Sequence, residues 1–595
     1  MAIKTYILVC GGTACQSSHG TELYETLKRE LVAQGVENEA QVVRTGCFGF
    51  CEKGPIVKIL PDETFYVCVK PEDAKEIVAE HVIKGRPVPR LLYDASQSKA
   101  NAKLEEIPFY QKQFRIVLRN CGVINPEKIE EYIARDGYAA LAKALTEMTP
   151  EDIIEEVKKS GLRGRGGAGF PTWMKWNFTK QAAGEEKYIV CNADEGDPGA
   201  YMDRSTIEGD PHSILEAMAI AGRAVGASHG VIYIRAEYPL AIEHLETALK
   251  QAREYGLFGK NILGTGFDFD IELRLGAGAF VCGEETALLA SAMGKRGMPI
   301  PRPPFPAVSG LWGKPTVINN VETWANIPVI ILKGGEWFSK IGTEKSHGTK
   351  VFALTGKINN SGLIEVPMGI TLREIVYDIG GGIKGGKKFK AVQTGGPSGG
   401  VITADYIDTP IDYEHLAELG SIMGSGGMIV MDEDDCMVDV ARFYQEFCVD
   451  ESCGKCAPCR IGTRTLLTLL EKIAKGNGEP RDIDKIKSVG RAMQKAALCG
   501  LGQTAPNPVL STLRYFGDEY LAHINERKCP AGKCKDLVRF VIYEAKCRGC
   551  TMCSRKCPAN AIAGERQKPH VIDQAKCVKC GECFRTCRFG AISRQ

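Results

Sequence analysis

Long apolar runs are missing from this 595-residue chain, and nothing in it reaches the roughly 20 residues that cross a bilayer. The opening, "MAIKTYILVCGG", has too short an apolar run for a signal peptide and passes at once into a cysteine motif. The cytoplasm is therefore the expected compartment. Charge of one sign is missing too. Lys and Arg number 75 against 73 Asp and Glu, a formal +2, which argues against a nucleic-acid partner. Histidine is scarce, at nine, and no H-E-x-x-H occurs, so hydrolytic metal chemistry has no support. The glycine pairs of "AVQTGGPSGGVI" lack a following Lys-Ser/Thr, which excludes a P-loop there. Cysteine, by contrast, is plentiful. Twenty-four in a chain expected in the cytoplasm point to metal or redox sites, not to a disulfide framework. The length implies several domains.

Three cysteine systems stand out. "CRGCTMCSRKCP" supplies Cys547, Cys550, Cys553 and Cys557, and "CVKCGECFRTC" supplies Cys577, Cys580, Cys583 and Cys587. Both follow C-x2-C-x2-C-x3-C, the run of bacterial two-cluster ferredoxins, in which each fourth cysteine serves the other cluster. The expected ligand sets are Cys547, Cys550, Cys553 and Cys587 for one [4Fe–4S] centre, and Cys577, Cys580, Cys583 and Cys557 for the second. Zinc knuckles are the competing reading, and the doubled spacing argues against them. Further back, "ESCGKCAPCRIG" gives Cys453, Cys456 and Cys459. Cys499 of "ALCGLG" completes a third [4Fe–4S] set after a helical stretch, although spacing alone does not separate iron–sulfur from zinc there.

The third system opens the chain, with Cys10 and Cys15 in "CGGTAC" and Cys47 and Cys51 in "CFGFC". Around them the pattern reads β-α-β-β-β-α, with "TYILV", "EAQVV", "PIVKIL" and "TFYVCV" as strands. This order resembles the thioredoxin-like [2Fe–2S] ferredoxins, whose ligands lie on two loops with these spacings. Catalytic or structural thiols are the bland alternative. These systems use sixteen cysteines. Cys68, Cys121, Cys191, Cys282, Cys436 and Cys448 stand apart and read as buried small hydrophobes.

A separate question is posed by "GLRGRGGAGFPTWMKW", where Gly164, Gly166 and Gly169 spell G-x-G-x-x-G. A Rossmann loop needs a strand before it and a helix opening directly from it. Here "TPEDIIEEVKKS" in front reads as helix, and Phe170-Pro171 prevents a helix from opening directly at the last glycine, so the Rossmann reading fails on context. The glycines still allow backbone to approach a ligand closely.

After the loop come "YIVCNADEGDPGAYMDR", "GVIYIRAEYPLA", "GAGAFVCGEETALLASAMGKRGMPIPRPPFPAVSGLWGKPTVINNVET" and "ESCGKCAPCR". From about residue 121 to 525 the chain resembles the NADH- and FMN-binding subunit of respiratory NADH dehydrogenase (complex I) and its relatives in soluble hydrogenases and formate dehydrogenases. The resemblance implies a modified Rossmann-like FMN/NADH domain with NADH stacked on the flavin. It places FMN contacts on Gly164, Arg165, Gly166, Lys175, Asn192, Asp194, Glu195, Gly283, Glu284, Asn319 and Asn320, with Arg165 and Lys175 as charge partners of phosphate. It places NADH contacts on Gly167, Phe170, Phe178, Asp197, Glu285 and Phe305. Asp197 departs from the Glu that some relatives carry. Taken singly, each glycine reads as a turn, Phe178 and Phe305 as core, and Glu284-Glu285 as a solvated helix start; only their joint order favours a site. Hydride would pass directly between NAD(H) and FMN, with no side chain as proton-transfer catalyst.

The expected architecture is multidomain α/β and α+β. It comprises a thioredoxin-like [2Fe–2S] domain (1–90), a linker (91–120), the FMN/NADH domain (121–349), a ubiquitin-like β-grasp domain with a scaffold role (350–435), a helical bundle with one [4Fe–4S] (436–525), a hinge (526–540) and a two-cluster ferredoxin (541–595). This layout resembles the β subunit of soluble multimeric [FeFe]-hydrogenases, including electron-bifurcating ones. The implied partners are an [FeFe]-hydrogenase catalytic subunit, a small [2Fe–2S] subunit and soluble ferredoxin, in a hetero-oligomer. The same module in an NAD-dependent formate dehydrogenase or another bifurcating complex, or a non-catalytic electron-transfer scaffold, are the alternatives. Residues from 541 on carry eleven Lys or Arg against four Asp or Glu, a formal +7 that suits an acidic partner. At the hinge and just before it, His523, Cys529 and Cys534 of "YLAHINERKCPAGKC" offer three ligands to zinc, with a stray thiol such as Cys448 as the fourth. Two reduced surface thiols or a reversible disulfide, beside a solvated histidine, is the other reading.

Overall fold

The N-terminal cysteines sit where two parallel strands end. Thr5–Cys10 and Ala40–Thr45 pair in parallel, joined by the helix Gly20–Ala33, and Val57–Leu60 and Thr64–Tyr66 extend the sheet antiparallel. Cys10 closes the first strand, and Cys47 follows the second by two residues. The computed structural model describes residues 3–93 and 107–594. It separates into two compact units, Met1–Val430 and Met431–Gln595.

Of the expected linker 91–120, residues 94–106 lie outside the described residues. The remainder is no loose connector. Ile107, Phe109, Ile116, Val117 and Leu118 are buried, and Phe109 stacks on Phe50 of the "CFGFC" loop with ring centroids 4.3 Å apart. These apolar residues read as linker because no periodic pattern marked them; long-range packing recruits them.

The middle of the first unit is built on a five-stranded sheet in the order Gly259–Ile262, Phe267–Gly276, His229–Arg235, Tyr188–Ala193, Thr316–Asn320. The last four run parallel, and Gly259–Ile262 is an antiparallel edge. From Tyr188–Ala193 the chain builds outward on one side and returns as Thr316–Asn320 on the other. The carboxyl ends of those two strands therefore flank a topological switch point, where open α/β sheets bind ligands. The helix in front of the glycine loop, Pro150–Ser160, starts at a Thr149–Asp152 capping box with Pro at its first position and stops at Gly161, φ +63°.

The next sheet along the chain is five-stranded, in the order Gly362–Pro367, Thr349–Gly356, Gly427–Asp432, Phe389–Thr394, Gly400–Thr403. In the second unit the helices Met437–Glu451, Ala457–Ala474, Pro480–Ala496 and Asn507–Tyr515 pack round Leu466, Leu470, Ile486 and Val509. The last residues form two short antiparallel pairs, Phe540–Ile542 with Ile592–Arg594 and Ile562–Ala563 with Val571–Ile572, and two small helices. Among the described residues no helix is long and apolar enough to cross a membrane.

Candidate functional site

The switch point gathers the nucleotide-motif residues. Asn192 donates to the Gly283 carbonyl at 2.8 Å and accepts the Asp194 amide at 3.1 Å, which ties the acidic turn after one strand to the loop before the helix Glu285–Ala292. Gly166 stands against Asn320 at the other strand end, where an added Cβ would lie 3.1 Å from the Asn320 Cβ. Gly167 holds φ +128°, a value side chains rarely adopt, and faces Gly424. Gly164 donates to the Phe170 carbonyl at 2.8 Å, and the Arg165 amide donates to the Thr323 hydroxyl at 2.8 Å.

Several residues expected to touch the cofactor are also engaged in holding the frame. The Arg165 side chain is fully buried and donates to the carbonyls of Thr349 at 3.0 Å, Arg163 at 2.9 Å and His347 at 2.7 Å, so it is no phosphate partner. Glu284 caps its helix, Oε2 accepting the amides of Thr286 and Ala287 at 3.0 Å. Asn320 accepts the Thr323 amide at 3.1 Å and donates to Asp203 at 2.6 Å. Asn319, with its amide turned to satisfy both neighbours, accepts from Trp176 Nε1 and donates to the Ile318 carbonyl, each at 3.0 Å. These polar groups are buried or half-buried and must be paired, and the strand and helix ends supply the partners.

Other candidate residues are exposed or paired through charge. Phe170, Phe178 and Phe305 are 41%, 46% and 55% exposed, which is not core packing. Lys175 contacts Glu285 at 3.3 Å and the Ile318 carbonyl at 3.2 Å, and Arg302 contacts Glu285 at 2.7 Å and lies 5.8 Å from the Phe305 ring centre. Burial opposes the charge on Glu285, but Lys175 and Arg302 outweigh it and hold the carboxyl below its usual range. Glu195 behaves oppositely. Burial pushes it up to about 7, although it accepts the amides of Asp203 and Arg204 at 3.1 and 3.2 Å. Burial likewise pushes Asp197 up to about 6, against the hydrogen bond that Ser425 donates.

Ser425 belongs to the segment expected to be scaffold only. That segment reaches the candidate site residues: Ser425 bonds Asp197, Gly396 crowds it, Gly424 faces Gly167, and Tyr413 donates to the Gly164 carbonyl at 2.8 Å. No local motif announces these contacts; only the fold brings residues more than 190 positions apart together.

The cysteine sets converge as well. Cys10, Cys15 and Cys47 are buried, Cys51 is half-buried, and Cys47 lies within hydrogen-bonding reach of Cys10 and Cys51, as Cys10 does of Cys15. One cavity is lined by Cys547, Cys550, Cys553 and Cys587, and another by Cys557, Cys577, Cys580 and Cys583. Cys453, Cys456 and Cys499 surround Cys459 closely enough to raise its thiol alongside burial, the larger cause. Four sulfurs per set, crowded together with no disulfide formed, fit iron–sulfur centres by donor chemistry.

A further group was only partly foreseen. Cys436, His523, Cys529 and Cys534 are all buried, with one ligand atom from each lying within 4.8 Å of the others. His523 Nε2 is 3.5 Å from Cys436 and 3.3 Å from Cys534, and the two sulfurs are 3.8 Å apart. The fourth member is Cys436, expected to be a lone small hydrophobe; Cys448, proposed as fourth ligand, is not in the group. The surface-thiol reading fails, since Cys529 and Cys534 are 4% and 6% exposed.

Comparison with known proteins places this geometry. The family model of the Nuo51 FMN-binding domain matches residues 157–329, and that of the NADH-ubiquinone oxidoreductase-F iron-sulfur binding region matches 439–523. The thioredoxin-like [2Fe-2S] ferredoxin model matches 2–81 and a 4Fe-4S binding domain model 570–593. The NADP-reducing hydrogenase subunit HndC of Solidesulfovibrio fructosivorans is 61% identical over 460 residues, 77% of this chain and 94% of that one. The chain belongs to the Nuo51 family of complex I. An NADH-quinone oxidoreductase F-type subunit of Rhizobium meliloti is 46% identical over 415 residues, 70% of this chain and 99% of its own. Among solved structures, a chain of the NAD+-reducing [NiFe]-hydrogenase in the H2-reduced state aligns with TM-score 0.62 and 28% identity, covering 88% of this chain and 85% of that one. This Nuo51 relative is accordingly an oxidoreductase subunit of the NAD(P)H dehydrogenase type, with an FMN-binding domain and both [2Fe–2S] and [4Fe–4S] domains.

Proposed function

We propose that the chain is the diaphorase subunit of a soluble NAD-dependent [FeFe]-hydrogenase complex. It exchanges hydride between NAD(H) and FMN and relays single electrons through one [2Fe–2S] and three [4Fe–4S] centres to the catalytic subunit and to ferredoxin, with electron bifurcation between them. A small [2Fe–2S] subunit completes the hetero-oligomer, and the complex works in the cytoplasm. The observation that carries the reading is the switch point, where Lys175 joins the Ile318 carbonyl to Glu285, Arg302 links Glu285 to the exposed Phe305, and the buried Glu195 and half-buried Asp197 follow the adjacent strand end. FMN, when bound, supplies the exchange of one hydride for two single electrons. The protein's part is to bind and orient. The amides of Gly166 and Gly167 approach phosphate, the phenylalanine rings stack flat nucleotide rings, and Asp197 and Glu285 accept ribose hydroxyls. The Solidesulfovibrio relative is named for NADP, but here Lys175 and Arg302 are both drawn to Glu285, and acids beside the ribose repel a 2′-phosphate. NADH is therefore the substrate.

We also propose that Cys436, His523, Cys529 and Cys534 hold one zinc. The donor set suits a closed structural site, and the His523 Nδ1 bond to the Glu519 carbonyl, 2.6 Å, leaves Nε2 for the metal. Such a staple fixes the exit of the chain toward the ferredoxin segment, which swings about it. The expected domain limits stand as part of this proposal, except that 107–120 packs with its neighbours.

Three measurements check these proposals. In NADH–viologen reductase assays, Glu285→Ala and Phe305→Ala raise the NADH KM about tenfold with all clusters retained, as lost contacts of about 1.4 kcal/mol would. An unchanged KM in both refutes the site, and an isolated chain with neither flavin absorbance nor activity favours the scaffold reading. Asp197 is protonated below about 6 and charged above it, and a charged acceptor binds hydroxyls more strongly. The NADH KM therefore falls about fivefold as pH rises from roughly 5.5 to 7.5, and Asp197→Asn flattens the profile; an identical profile in the variant contradicts the assignment. Metal analysis finds one zinc per chain, lost in Cys436→Ser and kept in Cys448→Ser. No zinc above background in the native chain, or equal retention by both variants, refutes the staple.

A further inference from the structure

One short helix touches both the nucleotide crevice and the N-terminal cysteine loops. Met202–Gly209 begins under Glu195, whose carboxylate accepts the amides of Asp203 and Arg204 at 3.1 and 3.2 Å. Its other end meets both cysteine loops. Glu208 accepts a hydrogen bond from Thr13, between Cys10 and Cys15, at 2.8 Å. Gly209 meets Gly46, next to Cys47, so closely that a Cβ on Gly46 would lie 2.3 Å from the Gly209 Cα. Immediately before the helix, the Tyr201 hydroxyl lies 3.6 Å from the Cys51 sulfur, across 150 positions of sequence. Arg204 lies 5.8 Å from the Tyr201 ring centre and 5.4 Å from that of Tyr238, and Tyr238 donates to the Glu195 carbonyl oxygen at 2.7 Å. The tyrosine is thus held from the crevice side and aimed at a sulfur on the other.

We propose that Tyr201 is a positioning residue of the [2Fe–2S] centre: its hydroxyl donates to the Cys51 thiolate and fixes that edge of the centre against the nucleotide crevice. The inference rests on the assignment of Cys10, Cys15, Cys47 and Cys51 as cluster ligands. A donor on a ligand sulfur stabilises the more negative, reduced state and raises the reduction potential. Tyr201 thereby helps set how readily the centre accepts an electron, and the helix ties that setting to the acid turn of the nucleotide site. Phe at this position would keep the ring packing and remove only the donor.

The test is a redox titration of the full chain with its cofactors, following the electron paramagnetic resonance signal of the reduced [2Fe–2S] centre in wild type and Tyr201→Phe. The midpoint moves to more negative potential in the variant, with the same spin count and with the [4Fe–4S] signals unmoved. After exchange into deuterium oxide, wild type shows a deuteron coupling that Tyr201→Phe lacks, while the coupling from the Gly49 amide, which donates to Cys47 at 3.3 Å, persists in both. Thr13→Val, which removes a hydrogen bond to the same helix without touching Cys51, keeps the midpoint and the coupling. A [2Fe–2S] signal with the same midpoint and coupling in wild type and Tyr201→Phe overturns the inference alone. An equal shift in Thr13→Val overturns the role of the hydroxyl. Absence of any [2Fe–2S] signal in wild type overturns the ligand assignment and the inference together.

Discussion

Glu195 accepts two amides at the start of the helix Met202–Gly209, and the functional geometry of the first unit depends on that contact. The carboxylate lies on the turn after the strand Tyr188–Ala193. The helix it caps is braced through Asp203 to Asn320, at the end of the neighbouring strand, and through Glu208 to Thr13. Burial raises Glu195 to about 7 and raises Asp203 as well, with Glu195 itself contributing to the latter. Two neighbouring acids that resist ionisation together make this region responsive to a proton or a bound charge.

The site is held by a frame whose polar residues are engaged inward. Arg165, Glu284, Asn319 and Asn320 satisfy carbonyls, amides and helix caps. The candidate residues left exposed, by contrast, are rings, and Glu285 is ion-paired. This division is a consequence of topology. Beyond the last paired residues of the strands, the backbone groups of the turns and helix starts must be satisfied by side chains from adjacent loops.

Cysteine spacing made the cluster sets legible, because short loops force three thiolates into one corner and leave few other arrangements. The doubled C-x2-C-x2-C-x3-C run even indicated which fourth cysteine crosses over, and the cavities gather those same residues. The Rossmann-like fold of the nucleotide site was accessible only through family resemblance, and its sheet order was not read from the sequence. What escaped were contacts that no spacing encodes. Cys436 joins His523 across 87 positions, Ser425 reaches Asp197 across 228, and Tyr201 reaches Cys51 across 150. Arg165 misled for a related reason: an arginine in a glycine loop suggests phosphate, but three backbone carbonyls needed a donor there first.

The central claim is that electrons from NADH enter this chain at the flavin and leave one at a time through iron–sulfur centres. Anaerobic rapid mixing of the cofactor-loaded protein with one equivalent of NADH tests it directly, with flavin absorbance and freeze-quenched cluster signals followed together. The account predicts that flavin absorbance bleaches first, that cluster signals rise as flavin colour returns, and that flavin-depleted protein shows neither change. Cluster reduction by NADH at an undiminished rate in flavin-depleted protein would contradict it.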